Sequence, residues 1–138
     1  MKRLEIYVDG ASRGNPGPAS YGVAIKKDDG GGYIEFHEYL GVATNQVAEY
    51  EALIRGLTEA QNFRAQEVDV YTDSQFVTRQ FQGVYKVKHE TMKALMARVR
   101  ELEKNFKRVS VHHIPRSSHP GNKIADKLAN IALDKAGK

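Results

Sequence analysis

The 138-residue chain contains no cysteine, which excludes disulfides and thiolate metal sites together. A metal bound here would be held by oxygen, or by one of five histidines. No apolar run approaches the roughly 18 residues that a membrane span requires, and the N-terminus shows no charged stretch leading into an apolar one. The expected address is the cytoplasm. No repeat, linker or low-complexity tract divides the chain. Its length fits one domain over residues 1–138, large enough to bury a core without staples.

What is present is unevenly charged. The net charge of +4 conceals seven Lys and Arg against twelve Asp and Glu in residues 1–75, and ten against three in residues 76–116. An acidic half beside a basic segment suits a cation-assisted enzyme acting on a polyanion, one part holding metal and the other phosphates. A solvated basic helix face accounts for the same charges.

The pattern of apolar residues gives the order βββαβααβα. Residues 3–9, 21–27 and 33–40 read as an antiparallel meander, the last two around the turn Asp28-Asp29-Gly30-Gly31-Gly32. From 45 to 60 the period becomes helical through Val47, Tyr50, Leu53, Ile54 and Leu57, with Ala48, Ala52 and Gly56 as a small-residue stripe suited to packing on a sheet. A strand at 68–72 precedes a short helix at 74–81. A second helix spans 90–105, with Met92, Leu95, Met96, Val99 and Leu102 on one face, where methionines at helical spacing are core packing. A strand at 109–114 and a helix at 122–136, with Ile124, Leu128, Ile131 and Ala132 inward, complete the chain. Strands joined through helices are normally parallel, so this order predicts an α/β fold with a mixed sheet.

Two strands run into aspartate: Ile6-Tyr7-Val8 into Asp9, and Val68 to Thr72 into Asp73. If these strands are parallel neighbours, both carboxylates reach the carboxyl-end edge where open α/β sheets bind ligands. Glu49 lies four and eight residues before Leu53 and Leu57 and extends that helix face toward the sheet. Asp126 shares a polar stripe with Asn122 and Asn130. Taken singly, each acid has an ordinary explanation as a turn residue, a cap or a solvated charge; their joint placement suggests a site for a divalent cation.

The segments D-G-A-S-R-G-N-P-G-P-A-S-Y-G (9–22), T-N-Q-V-A-E-Y-E-A-L (44–53), Y-T-D-S-Q-F-V (71–77) and H-P-G-N-K-I-A-D-K-L-A (119–129) resemble the type 1 ribonuclease H family. The resemblance runs through almost the whole chain in the family order. It implies a five-stranded mixed sheet with the first three strands antiparallel. It also implies an endoribonuclease that hydrolyses the RNA strand of RNA–DNA hybrids to 5′-phosphate and 3′-hydroxyl ends. By the same resemblance Asp9, Glu49, Asp73 and Asp126 are catalytic acids holding two Mg²⁺ ions, with Mn²⁺ able to substitute. Oxygen donors select such hard cations, and two of them roughly 3.5 to 4 Å apart activate water and stabilise a leaving oxygen.

Choosing RNA requires sensing the 2′-hydroxyl, which donates and accepts hydrogen bonds, as neutral amides also do. The resemblance implies contacts from Asn15, Asn45 and Gln75 to the hybrid minor groove, with Thr44 near a DNA-strand phosphate and Ser74 as a further substrate position. Gly14-Asn15-Pro16-Gly17 is also ordinary turn chemistry. Gln46 replaces the second Asn that the family often has, and so does not match that contact fully.

Two further departures stand out. Many family members carry a histidine ten residues before the last metal aspartate, and here that position is Arg116. Its guanidinium is suited to holding phosphate but not to moving protons, since arginine keeps its charge in proteins. His119 matches the family's second histidine, beside the proline, and would compensate only if the Ser117-Ser118 loop bends. The other departure is the missing basic protrusion, an extra helix bearing tryptophans and lysines in some members; this chain has no tryptophan. Lys86, Lys88 and Arg79 are the remaining cations for gripping substrate.

The alternatives are a catalytically silent hybrid-binding module, which has no need to confine four acids near phosphates, and a related nuclease acting on duplex RNA or DNA. A monomer suffices for every motif. With the protrusion absent, hybrid affinity is expected to be weaker than in protrusion-bearing relatives and to fall steeply with salt. Equal affinity at matched salt in a binding titration would overturn this.

Overall fold

The computed structural model describes residues 3–27 and 30–138; Asp28 and Asp29 of the expected turn lie outside the described residues. Strands β1 (Arg3–Ser12), β2 (Gly17–Lys26) and β3 (Tyr33–Ala43) are followed by helix α1 (Asn45–Asn62), strand β4 (Glu67–Thr72), helices α2 (Gln75–Phe81) and α3 (Glu90–Glu103), strand β5 (Arg108–His113) and helix α4 (Pro120–Lys135). The element order βββαβααβα is as the sequence predicts. The five strands form one mixed sheet in the order β3-β2-β1-β4-β5. β1, β2 and β3 pair antiparallel, whereas β1 with β4 and β4 with β5 pair parallel.

Side chains alternate across a strand, so β1 presents different residues to each face. Leu4, Ile6 and Val8 join Val23, Ile25, Val68 and Val70 in the main core with Tyr50, Leu53 and Leu57 of α1 and with the buried face of α3. Tyr7 belongs to a smaller cluster with Ala24, Ile114 and Ala125 of α4. The small-residue stripe on α1 is packed as expected: a Cβ on Gly56 would meet the side chains of Ile6 and Val8 at 3.2 Å.

Two boundaries differ in a way that affects function. β1 does not end at Asp9 but continues to Ser12, because antiparallel β2 keeps pairing with it as far as Ser12 opposite Ala19, while its parallel neighbour β4 stops at Thr72. Helix α4 begins at Pro120, two residues early, and its fully buried stripe is Ala125, Leu128, Ala129, Ala132 and Leu133, with Ile124 and Ile131 only half-buried. Leu128 and Ala132 are buried as expected, but Ala125 and Ala129 take the places expected of Ile124 and Ile131 because the helix lies almost in contact with β2. A Cβ on Gly22 would stand 2.1 Å from the Ala125 carbonyl oxygen.

On the open face beside α4, Asp69 of β4 ties three strands together. Its carboxylate accepts hydrogen bonds from Arg3 at 2.8 Å and Arg108 at 2.9 Å and lies 3.0 Å from His112 Nε2. Arg108, with His112 and Arg3, holds its carboxyl well below the usual carboxylate range despite burial.

Gly22→Ala is expected to push α4 off the sheet and destabilise the protein by about 1–3 kcal/mol, the usual cost of overpacking. Chemical denaturation measures it; an unchanged midpoint would show that α4 is not held at this crossing.

Candidate active site

Parallel pairing sets Tyr7 of β1 level with Tyr71 of β4. Two residues further on, and on the same face, stand Asp9 and Asp73. Glu49 arrives from α1, whose first turn crosses β1 where no side chain intervenes: a Cβ on Gly10 would stand 2.4 Å from the Ala48 carbonyl carbon and the Glu49 nitrogen. Asp126 arrives from the second turn of α4, the helix seated against Gly22. The four carboxylates line one cleft of 480 Å³, together with Gly10, Arg13, Asn45, Arg116 and Asn130.

The electrostatics of this cleft are those of acids buried beside one another. Asp9 is 6 % exposed. Burial, followed by the charge of Asp73, a hydrogen bond with Asp126 and the charge of Glu49, pushes its pKa up to about 9. Burial likewise drives Glu49 up to about 7, opposed by a hydrogen bond from Ser74 and helped by the charge of Asp73. Asp69, two levels away on the same sheet face, is equally buried but ringed by Arg and His. Among the described residues no Lys or Arg forms an ion pair with Asp9, Glu49 or Asp73, and Arg116 reaches only Asp126, at 3.7 Å. No three acidic or histidine side chains among those residues are drawn in to metal-binding spacing. The carboxylates therefore form an open, oxygen-lined cleft in which, among the described residues, Asp126 alone of the four has an ion-pair partner, and its donor set fits hard divalent cations.

The expected substrate residues divide into several places. Asn45 is exposed and lines the acid cleft. Thr44 caps α1, its hydroxyl accepting from the Val47 amide, and Asn15 accepts from the Asn45 amide at 2.9 Å, so both satisfy otherwise unpaired N–H groups of the first turn. Ser74 is buried rather than open to a ligand. It caps α2 by accepting from the Val77 amide, and its side chain lies near enough to Glu49 to favour that acid's charged form. Gln75, the next residue, is exposed.

Gln46, Lys86 and Lys88 line a second cleft of 490 Å³ with Phe76, Val84, Tyr85 and Met92. The segment carrying the lysines is fastened from within by buried Gln80, which accepts from the Tyr50 hydroxyl and donates to the Lys86 carbonyl at 3.3 Å. The Arg79 carbonyl accepts from the Val84 and Tyr85 amides. His119 does not line the acid cleft. Its ring packs over Tyr7 and Tyr71, with centroids 6.0 and 6.3 Å away, and its Nδ1 is 2.7 Å from the Ser118 hydroxyl.

Three polar residues near the acids were given no role by the sequence. Arg13 lines the cleft and is tethered to Asp134 at 2.9 Å and Asn130 at 3.3 Å. Asn130 also donates to the Asp126 carbonyl. Asn122 is buried against Asp73. The signal for Asn122 and Asn130 is the spacing of four along α4, which puts them on one stripe with Asp126; nothing in the sequence pattern singles out Arg13.

A family model described as reverse transcriptase-like matches residues 7–132. Ribonuclease HI of Halobacterium salinarum is 42 % identical over 134 residues, covering 97 % of this chain and 66 % of that protein. The bifunctional protein Rv2228c of Mycobacterium tuberculosis is 40 % identical over 99 % of this chain, which spans 37 % of its length. The chain thus covers less than two thirds of these curated relatives. Among solved structures, LC11-RNase H1 in complex with an RNA/DNA hybrid superposes with a TM-score of 0.89 at 44 % identity, over 98 % of this chain and 99 % of that one. The sheet order, the crossings that bring four acids together and these similarities assign the chain to the ribonuclease H family, among relatives of type 1.

Proposed function

We propose that this chain is a metal-dependent endoribonuclease that hydrolyses the RNA strand of RNA–DNA hybrids and leaves 5′-phosphate and 3′-hydroxyl ends. The observation that carries the reading is the cleft in which Asp9, Glu49, Asp73 and Asp126 face one volume, two of them driven toward protonation by burial and by the neighbouring acids. The hybrid-bound relative supports the substrate class.

The four acids would hold two Mg²⁺ ions, with Mn²⁺ able to substitute, and such ions supply an activated water and a Lewis acid at the scissile phosphate. The chain's own residues prepare the ground. Ser74 orients the Glu49 carboxylate, and the Tyr7–Tyr71 register keeps Asp9 and Asp73 level. Arg116 places a permanent positive charge 3.7 Å from Asp126, where it binds phosphate and does not exchange protons. His119, packed on the tyrosines, supports the start of α4. The exposed amides of Asn45 and Gln75 both donate and accept, as reading a 2′-hydroxyl demands. Asn15 braces Asn45, and Thr44, by capping the same helix turn, stands beside the DNA strand. Gln46, Lys86 and Lys88 in the second cleft grip the far side of the duplex. One copy of the chain contains every residue required, so a monomer suffices.

Labelled hybrid should be cut with Mg²⁺ or Mn²⁺ and left intact with EDTA, while duplex RNA and duplex DNA persist. Cleavage without metal, or none with any ion, would sink the proposal. Asp73→Asn should abolish cleavage and leave hybrid binding largely intact. Arg116→Ala should reduce turnover less, and His119→Ala less still; the reverse order for the last two would show that their parts are exchanged.

The raised acids also predict a pH dependence of stability. Asp9 titrates near 9 and Glu49 near 7 in the fold, against ordinary values of 3.8 and 4.5. The folded state therefore holds these protons more tightly than the unfolded chain does. Their contribution is fully present below the ordinary values and is lost as pH rises through 7 toward 9. Metal-free protein should melt at falling temperature over that range, Asp9→Asn should flatten the decline, and added Mg²⁺ should reverse it. An identical melting profile for wild type and Asp9→Asn would show that Asp9 carries no such strain.

A further inference from the structure

We infer that Asn122 is a positioning residue that couples the loop carrying Arg116 to the carboxylate of Asp73; the inference rests on the function proposed above. Asn122 lies in the first turn of α4 and is 1 % exposed. Both ends of its amide are engaged. Oδ1 accepts a hydrogen bond from the Ser117 amide at 2.5 Å, and Nδ2 donates a long one to Asp73 Oδ2 at 3.4 Å.

Ser117 sits at φ +59, the left-handed region that a non-glycine residue occupies at a cost and keeps only where its surroundings hold it. The bond to Asn122 supplies that hold. Because Ser117 directly follows Arg116, its conformation sets the direction in which Arg116 leaves the loop, toward Asp126. Asp126 itself lies four residues beyond Asn122, on the same stripe of α4. One buried amide thus connects the end of β4, the loop and the helix that carries Asp126.

The chemistry required is specific to an amide. The side chain must accept from a backbone N–H and donate to a carboxylate at the same time, which Asn does and Asp, Ala or Leu cannot. An aspartate here would keep the acceptor for Ser117 but set a like charge against Asp73. Removing the amide leaves the Ser117 N–H and a carboxylate oxygen each short of a partner.

The test compares wild type, Asn122→Ala, Asn122→Asp and Arg116→Ala, together with Asn122→Ala combined with Arg116→Ala. Circular dichroism checks the fold, and amide exchange is followed by NMR in the metal-free proteins. In Asn122→Ala, kcat on labelled hybrid should fall about 10–100-fold, the usual effect of removing a residue that orients a metal ligand, with KM held within about twofold. Exchange of the Ser117 amide should rise about tenfold in Asn122→Ala and stay protected in Asn122→Asp. Adding Arg116→Ala to Asn122→Ala should cost less than Arg116→Ala costs alone, since the loop is already released.

Wild-type kcat in Asn122→Ala, an effect confined to KM, or full multiplication of the two substitutions would overturn the inference. If Asn122→Ala does not fold, Asn122→Asp decides alone: lowered kcat with a protected Ser117 amide supports it, and wild-type kcat refutes it. A wild-type chain that cuts no hybrid with any ion overturns the proposed function instead. Faster exchange at Ser117 in Asp73→Asn would then still support the coupling, and unchanged exchange would refute it.

Discussion

Helices α1 and α4 reach strands β1 and β2 only because no side chain stands between them at Gly10 and Gly22. These crossings come from opposite faces of the sheet, one beside the main core and the other beside the cluster around Tyr7. Each helix carries one acid within a turn of its crossing, Glu49 on α1 and Asp126 on α4. Asp9 of β1 and Asp73, just past the end of β4, need no such arrangement, since each stands two residues beyond the parallel pair Tyr7 and Tyr71. Four carboxylates from four elements therefore converge through two close backbone contacts and one strand register.

The same sheet face shows what the cleft leaves unbalanced. At Asp69, Arg3, Arg108 and His112 surround a buried carboxylate and keep it ionised. At Asp9 burial is comparable, but the nearest titrating neighbours are other acids. A fold that met the first problem with its own cations and left the second open has room there for cations from solution. The Coulomb penalty among the acids is large because the site is partly dry, and it is relieved only by protons or by metal.

Much of this arrangement could be read from the chain. The element order followed from apolar periodicity, and the pairing of Asp9 with Asp73 followed from two strands running into carboxylates. The small residues at 48, 52 and 56 of α1 announced close packing. What could not be read was distance. Nothing in Ile124 or Ile131 says that α4 lies so near β2 that alanines, not isoleucines, occupy its buried stripe. Nor does Ser74 disclose that its hydroxyl faces Glu49 and not a ligand, or His119 that its ring rests on two tyrosines. These depend on how elements far apart in sequence are seated, and periodicity carries no information about seating. Asn122 was visible as part of a stripe, but its two partners, from a loop and from β4, are defined only in three dimensions.

The continuation of β1 beyond Asp9 gives the sheet the form of a fork. On one side the ladder to β2 goes on for three more residues; on the other β4 gives way to α2 after Thr72. Asp9 stands at the point of division, within the backbone ladder and at the mouth of the opening. A carboxylate so placed is not at a fraying strand end, because paired residues lie both before and after it in the ladder to β2. The walls of the cleft, the first turn of α1 and the loop before α4, lie outside this ladder.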